Sequence, residues 1–336
     1  VITVENLTKS FSGRRGPVLA LDHVTLDVPA GSVCGVVGPS GAGKSTLARC
    51  LALQERPDSG AIRFDGTDLV TLGGSQLRAA RRQISVVPEA RSLIRQRTVA
   101  GNIALPLEAA GVPGPARKDR VGELLDLAGL TGQAGSYPDE LSAGQRQRVA
   151  VARALAGKPV VLLADEPTAA LDADGGSAVL NLLDRARAEE GVTVVLVTHD
   201  VSVVRRICDA VAVLDGGRVV ERGGLIDLVT DPTTRTSEAM LPLGDEAPGA
   251  VAGHDRVADV LLVGFAAIGA LLPEAGNRFD VSLAVLGGGM TRLGDTPVAR
   301  FRIGLSGERA DSALEWISES GAVVHRTPKG PQGVAA

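Results

Sequence analysis

The stretch Gly38-Pro39-Ser40-Gly41-Ala42-Gly43-Lys44-Ser45-Thr46 constrains this chain more than any other, because it fits one geometry: a loop that leaves an apolar strand and enters a helix. Val33 to Val37 supplies the strand, and a helical pattern opens at Lys44. Glycines at 38, 41 and 43 let the backbone curl until several N–H groups point at one anion. Lys44 adds a charge for the outer phosphates, Ser45 an oxygen for Mg²⁺, and the helix its positive end. Strand, loop, lysine and helix together predict a nucleoside triphosphate site drawn from Gly38, Ser40, Gly41, Gly43, Lys44, Ser45 and Thr46.

The surrounding pattern predicts the scaffold. Short β-rich runs at 32–37, 83–87, 159–164, 193–198 and 210–214 alternate with helical patterns at 44–53, 117–128, 145–156, 174–189 and 201–208. Alternation of this kind implies an α/β fold, a parallel sheet covered by helices, with ligands at the carboxyl ends of the strands. A length of 336 residues suggests about two domains. Between Thr236 and Gly253 periodicity gives way to Pro, Gly and acidic residues. The expected division is therefore a first domain at 1–235, a linker at 236–253, a second domain at 254–327 and a tail at 328–336. The second domain reads strand (257–265), helix (266–275), strand (279–287), Gly-rich turn (287–289), strand (298–305), helix (308–320) and strand (322–326). That βαββαβ order is the ferredoxin-like, α+β arrangement.

Three further elements carry chemistry. Leu141-Ser142-Ala143-Gly144-Gln145 precedes a helix, and Ser142 with Gln145 forms a capping box. A helix start with a hydroxyl and free N–H groups also attracts anions. Next, the apolar run 160–164 ends in Asp165-Glu166. Asp165 can hold Mg²⁺ through its water shell, and Glu166 can accept a proton from an attacking water. Finally, Thr198-His199-Asp200 follows another buried run, which places His199 to contact a γ-phosphate and help orient the water.

Composition narrows the remaining classes. A net charge of −4 argues against broad attraction to nucleic acid. Cys34, Cys50 and Cys208 are odd in number and lack C-x-x-C spacing, so they read as buried small hydrophobes in a reducing compartment. The longest apolar run, 260–272, ends at Pro273 and falls short of the ~20 residues that span a bilayer. Residues 1–4 read as a strand rather than a leader. The expectation is a soluble chain that meets a membrane only through a partner.

Phosphate loop, L-S-A-G-Q, strand-Asp-Glu, the loop Ala169-Ala170-Leu171-Asp172 and His199 occur in the order of ABC-type ATPases, which residues 1 to about 230 resemble. Several stretches also resemble the ATP-binding subunit of bacterial methionine importers: 40–50, Glu55-Arg56-Pro57, Arg81-Arg82-Gln83-Ile84, 104–108, Ser136-Tyr137-Pro138 and 206–209. The resemblance implies a mostly parallel sheet with a helical subdomain, and ATP and Mg²⁺ as ligands. It implies that Phe11 stacks on adenine and that Asp172 belongs to the nucleotide site. Ser142, Gly144 and Gln145 would close over ATP held by a second copy, giving a homodimer with two composite sites. Permease subunits would dock near residues 88–110, an extracytoplasmic binding protein would act indirectly, and no nucleic acid is expected. The place would be the cytoplasmic face of a bacterial membrane. Region 254–326 resembles that family's ligand-sensing domain, which would take methionine or a related amino acid, with the wall around Leu283, Val285 and Ile303 as a candidate. Other cargoes (another amino acid, lipoprotein release, efflux) and a non-transport ATPase remain alternatives. Translation-type members carry two ATPase units, and DNA-repair types insert a long coiled coil. This chain has one unit and only about a hundred residues between loop and signature.

Two departures bear on mechanism. Ala143 stands where the family usually has Gly, and it suits any backbone short of a strongly left-handed one. After the strand 84–87 the chain has Pro88-Glu89 where the family places a glutamine that contacts Mg²⁺ and the transport partner. A carboxylate can still ligate Mg²⁺, but its repulsion of a phosphate charge 4 Å away is about 4 kcal/mol at an effective dielectric of 20. Glu89→Gln is expected to raise basal hydrolysis and reduce the Mg²⁺ concentration it requires. Superimposable Mg²⁺ titrations of the two proteins would reject this.

Overall fold

The computed structural model describes residues 2–13, 16–88, 90–243 and 253–326. Contacts divide the chain into two units, Val1–Arg222 and Gly223–Ala336.

In the first unit a six-stranded sheet runs in the order Arg218–Gly224, Ala210–Asp215, Val33–Val37, Thr193–Val197, Val161–Asp165, Ile84–Val86. From Ala210–Asp215 to Ile84–Val86 every neighbouring pair is parallel. Thr193–Val197 is buried throughout, and Val33–Val37 and Val161–Asp165 are buried up to their last residue. Burial on both faces is why these strands read as unbroken apolar runs. The helices Lys44–Leu51, Gly114–Leu127, Ala143–Leu155, Ala173–Glu190 and Val201–Ile207 answer the five expected patterns, with ends displaced by a few residues.

A second, antiparallel sheet in this unit comprises Gly16–Val28, Ile2–Gly13, Ser59–Phe64 and Thr67–Asp68. Sequence periodicity does not reveal it. Register shifts between Val4, Leu7, Lys9 and Ser10 break the alternation that would mark a long strand. Between the sheets lies the helix Lys44–Leu51. Its fully buried Leu47, Cys50 and Leu51 join one core with Leu21, Val24 and Ile62 from one sheet and Val36 and Val195 from the other.

The second unit holds an antiparallel sheet in the order Ser282–Leu293, Thr296–Ser306, Arg256–Val263, Val323–Arg326. Ala258, Val260, Leu262, Ala299, Ile303 and Leu305 on one face pack against Leu272 and Ala275 of Leu271–Phe279 and Ala313, Leu314 and Ile317 of Ala310–Glu319. This is the expected ferredoxin-like arrangement. Its details correct the sequence reading. The glycines 287–289 are not a turn: they lie inside the strand Ser282–Leu293, at a bulge between Val285 and Gly287 where Gly288 N donates to Leu243 O at 2.9 Å. The hairpin turn falls instead at Gly294-Asp295. The helix expected at 266–275 is two, Phe265–Ile268 and Leu271–Phe279.

The stretch expected as a linker begins in a helix, Arg235–Met240, with Thr236, Ser237 and Met240 buried. Thr234 caps it, its hydroxyl accepting from Ser237 N at 3.0 Å. Residues 244–252 of that stretch, and the tail at 328–336, lie outside the described residues.

Arg120 ties three helices of the first unit. Its guanidinium meets both oxygens of Glu190 at 2.7 and 2.8 Å and donates to Leu155 O at 2.9 Å. The side chain is only 10 % exposed. Removing it leaves the partly buried Glu190 carboxylate without its partner and takes one of two donors from Leu155 O, which keeps Lys158 N at 3.0 Å, so Arg120→Ala should destabilise this unit by about 1–3 kcal/mol. Urea unfolding followed by circular dichroism measures this, and an unchanged midpoint would refute it.

Candidate active site

The loop after Val33–Val37 curls as its glycines allow. Gly43, the N-cap of the following helix, has φ +101, and a Cβ there would collide with Ala20 O. Lys44 is buried, 9 % exposed, and its ammonium donates to Gly38 O at 2.8 Å and Pro39 O at 3.0 Å. No ion pair reaches it among the described residues. A buried cation held only by carbonyls lacks a countercharge, and the cradle therefore fits an anion. Ser40 and Ser45 are exposed, and Thr46 is buried.

Sheet order gathers the other chemical residues at the same edge. Val33–Val37 and Val161–Asp165 both flank Thr193–Val197. Thr198 N donates to Val36 O at 3.1 Å, and Glu166 N to Val197 O at 2.8 Å. The phosphate loop, His199 and Asp165-Glu166 thus leave three adjacent strand ends, which span about 10 Å at ordinary strand spacing. Asp165 is exposed. Glu166 adopts φ +47, unusual for a residue with a side chain. Its Oε1 lies 2.7 Å from His199 Nδ1, and its Oε2 accepts from Thr198 Oγ1 at 3.2 Å. A carboxylate oxygen accepts, so the hydrogen between Glu166 and His199 sits on Nδ1. Glu89 lies outside the described residues.

Phe11 lies in the antiparallel pair Ile2–Gly13 and Gly16–Val28, where it faces Val18. The same pair abuts Gly43 through Ala20 and Leu21. Phe11 is 36 % exposed, and Val18 and Leu19 beside it are exposed too. Lys9 Nζ stands 5.2 Å from the Phe11 ring centroid, held by Glu55 at 2.8 Å and by Arg56 O at 2.8 Å.

The signature segment lies elsewhere: no hydrogen bond or ion pair joins it to the phosphate loop among the described residues. Ser142 caps Ala143–Leu155, with Gln145 N donating to Ser142 Oγ at 3.2 Å and Ser142 N to Gln145 Oε1 at 2.8 Å. Ala143 is exposed and takes ordinary helical backbone, so the methyl there meets no strain. Gly144 has a reason the cap does not supply. A Cβ on it would stand 2.8 Å from the Cα of Gly175, in the helix Ala173–Glu190. Asp172 caps that helix, its Oδ1 accepting from Gly175 N at 2.9 Å. Sequence reasoning missed Gly175 and gave Thr198 no role of its own; the pair Gly175-Gly176 inside a helical pattern was the available signal for the first.

The cysteines take no part. All three are buried and free. Burial pushes Cys34 up to about 12, Cys50 to about 11 and raises Cys208 as well, far from a reactive thiolate. In the second unit a pocket of about 600 Å³ opens among Leu262, Leu272, Leu283, Val285, Met290 and Phe301. Leu283 and Val285 line it as expected; Ile303 is fully buried in the core instead.

Residues 21–169 match the family described as ABC transporter, and residues 256–326 the NIL domain. The chain is also similar to a solved ATP-binding cassette, a dimer in a post-hydrolysis state bound to ADP and Pi. The two are 35 % identical with a TM-score of 0.60, over 67 % of this chain and 98 % of that one. These likenesses place the protein among the ATPases of ABC transporters. It is 44 % identical, over 98 % of its length and 100 % of the relative's, to the methionine import ATP-binding protein MetN of Thermobifida fusca. With the protein of the same name from Symbiobacterium thermophilum the identity is 42 % over 98 % and 100 %. The chain belongs to the family of methionine import ATP-binding proteins.

Proposed function

We propose that this chain hydrolyses ATP to drive an ABC importer of methionine or a related amino acid. The observation that carries the reading is the shared sheet edge, where an uncompensated buried ammonium stands near a carboxylate held by a histidine. ATP as substrate would stack its base on Phe11, with its phosphates in the cradle of Gly38, Ser40, Gly41, Gly43, Lys44 and Thr46. Ser45 and Asp165 offer the hard oxygens that suit Mg²⁺, with Glu89 as a further candidate. Bound there, Mg²⁺ would neutralise phosphate charge. Glu166 takes the proton of the attacking water, and His199 orients the water and meets the γ-phosphate through Nε2.

A second copy completes the site in this reading. Ser142, Gly144 and Gln145 of one chain face the phosphates held by the other, and Asp172 lies at the same junction. The cap does not compete with this role. Ser142 Oγ uses a lone pair to accept from Gln145 N, which leaves its hydrogen to donate. Most of the rate gain comes from positioning and charge stabilisation.

Among the described residues no helix is long and apolar enough to cross a membrane. The protein is peripheral to the membrane, and we assign it to the cytoplasmic face, held there by permease subunits. Those subunits would dock near residues 88–110, and a groove of about 500 Å³ is lined by Ala52, Gln54, Arg81, Ile84, Ser85 and Val86, the last two just ahead of that stretch in the sequence. The extracytoplasmic binding protein acts through the permease. In the second unit, the pocket around Leu283, Val285 and Met290 suits a thioether or similar apolar side chain. Ligand bound there would feed back on ATP-driven closure, and the coupling would be reciprocal.

Glu166→Gln should leave an ATP-bound dimer that does not turn over, measured by size exclusion and phosphate release; full hydrolysis by this variant would remove Glu166 from its role. Calorimetric titration of the full-length chain should show heat with methionine, and less once ATP has closed the dimer. Absence of heat with any amino acid would rule out the sensing pocket.

A further inference from the structure

Glu166 is held firmly at its main chain. Its N–H donates to Val197 O at 2.8 Å, and its carbonyl accepts from Ala169 N at 3.1 Å. That fixes Cα but leaves the carboxylate on a side chain with three rotatable bonds. Two groups hold the carboxylate, and they differ in kind. The side chain of His199 is 71 % exposed. Thr198 is fully buried, and its own N–H is tied to Val36 O in the neighbouring strand.

The direction of the Thr198 bond is set by its surroundings. Asp200 N donates to Thr198 Oγ1 at 3.1 Å, so one lone pair is taken and the single hydroxyl hydrogen is left for Glu166 Oε2 at 3.2 Å. A β-branched side chain is stiff about χ1, and burial leaves it no alternative partner in solvent. His199 faces a conflict that Thr198 does not. Its Nδ1 hydrogen is spent on Glu166 Oε1. To donate from Nε2 to a phosphate, the ring must either carry a second proton or move its only one, and moving it gives up Glu166.

We infer that Thr198 is a positioning residue for hydrolysis: its hydroxyl aims the Glu166 carboxylate and keeps it aimed when His199 turns to the phosphate. The inference rests on the reading of Glu166 as the base that takes the proton of water. Thr198 is fully buried, so its hydroxyl would act through the Glu166 carboxylate rather than on nucleotide or water.

Steady-state ATP hydrolysis by the full-length chain tests it. Thr198→Val keeps the shape and loses the hydroxyl; kcat should fall roughly tenfold, an increase of about 1.4 kcal/mol in the barrier. KM for ATP should stay within about twofold, because no binding contact is lost. Thr198→Ser, which retains the hydroxyl, should recover most of kcat. Thr198→Ala serves as a second deletion in case the valine disturbs folding, checked by thermal melting. A wild-type kcat in the folded valine or alanine variant would overturn the inference, as would a serine variant as slow as valine. Glu166→Gln, assayed alongside, separates the two levels. If it is inactive while Thr198→Val is normal, only the positioning role falls. If Glu166→Gln hydrolyses normally, the assignment of the base falls, and the inference with it.

Discussion

The burial of the Lys44 ammonium against two loop carbonyls is the contact on which the rest of the site depends. An ammonium taken out of water without a countercharge costs several kcal/mol. The fold bears that cost because the helix beginning at Lys44 cannot move away. Leu47, Cys50 and Leu51 anchor it in a core shared by both sheets of the first unit. A charge that can neither escape to solvent nor find a carboxylate stays ready for an anion, which is the physical meaning of a phosphate cradle.

Parallel pairing then supplies the partners. Because Thr193–Val197 lies between the phosphate-loop strand and Val161–Asp165, every chemical group that leaves a strand end arrives at the same edge. None of these residues needs a long or flexible reach. Groups outside this edge obey another rule: Ser142 and Asp172 each cap a helix, and those helices meet through the backbone contact of Gly144 with Gly175. Capping, close packing and anion recognition use different atoms of the same residues, so one does not exclude the others.

Legibility in the sequence varied with the range of the interaction. Phosphate loop, strand-end acids, histidine and capping box are local patterns, and each stands where the pattern put it. The ferredoxin-like order of the second unit was readable as well, from the alternation of apolar runs. Errors arose where a distant segment decides the local structure. The glycines 287–289 read as a turn because glycine marks turns, whereas here they sit at a bulge approached by the main chain of Leu243. Residues 236–240 read as the start of a linker because periodicity fades there, yet Thr236, Ser237 and Met240 are buried on a helix. Thr198 read only as the residue that precedes His199, since nothing in its neighbours announces Glu166, thirty-two residues earlier, as its partner.

The amino-acid sequence by itself determined the nucleotide-binding chemistry, because glycine, lysine and capping residues act through backbone geometry within a few positions of one another. It also determined the alternation that makes a parallel sheet. Only the tertiary structure decided which strand ends are neighbours, and so which side chains orient the Glu166 carboxylate. It alone decided that Gly144 faces Gly175, and that Leu283 and Val285 line a pocket while Ile303 does not. Contacts of that kind join residues far apart in the chain, and no local propensity encodes them.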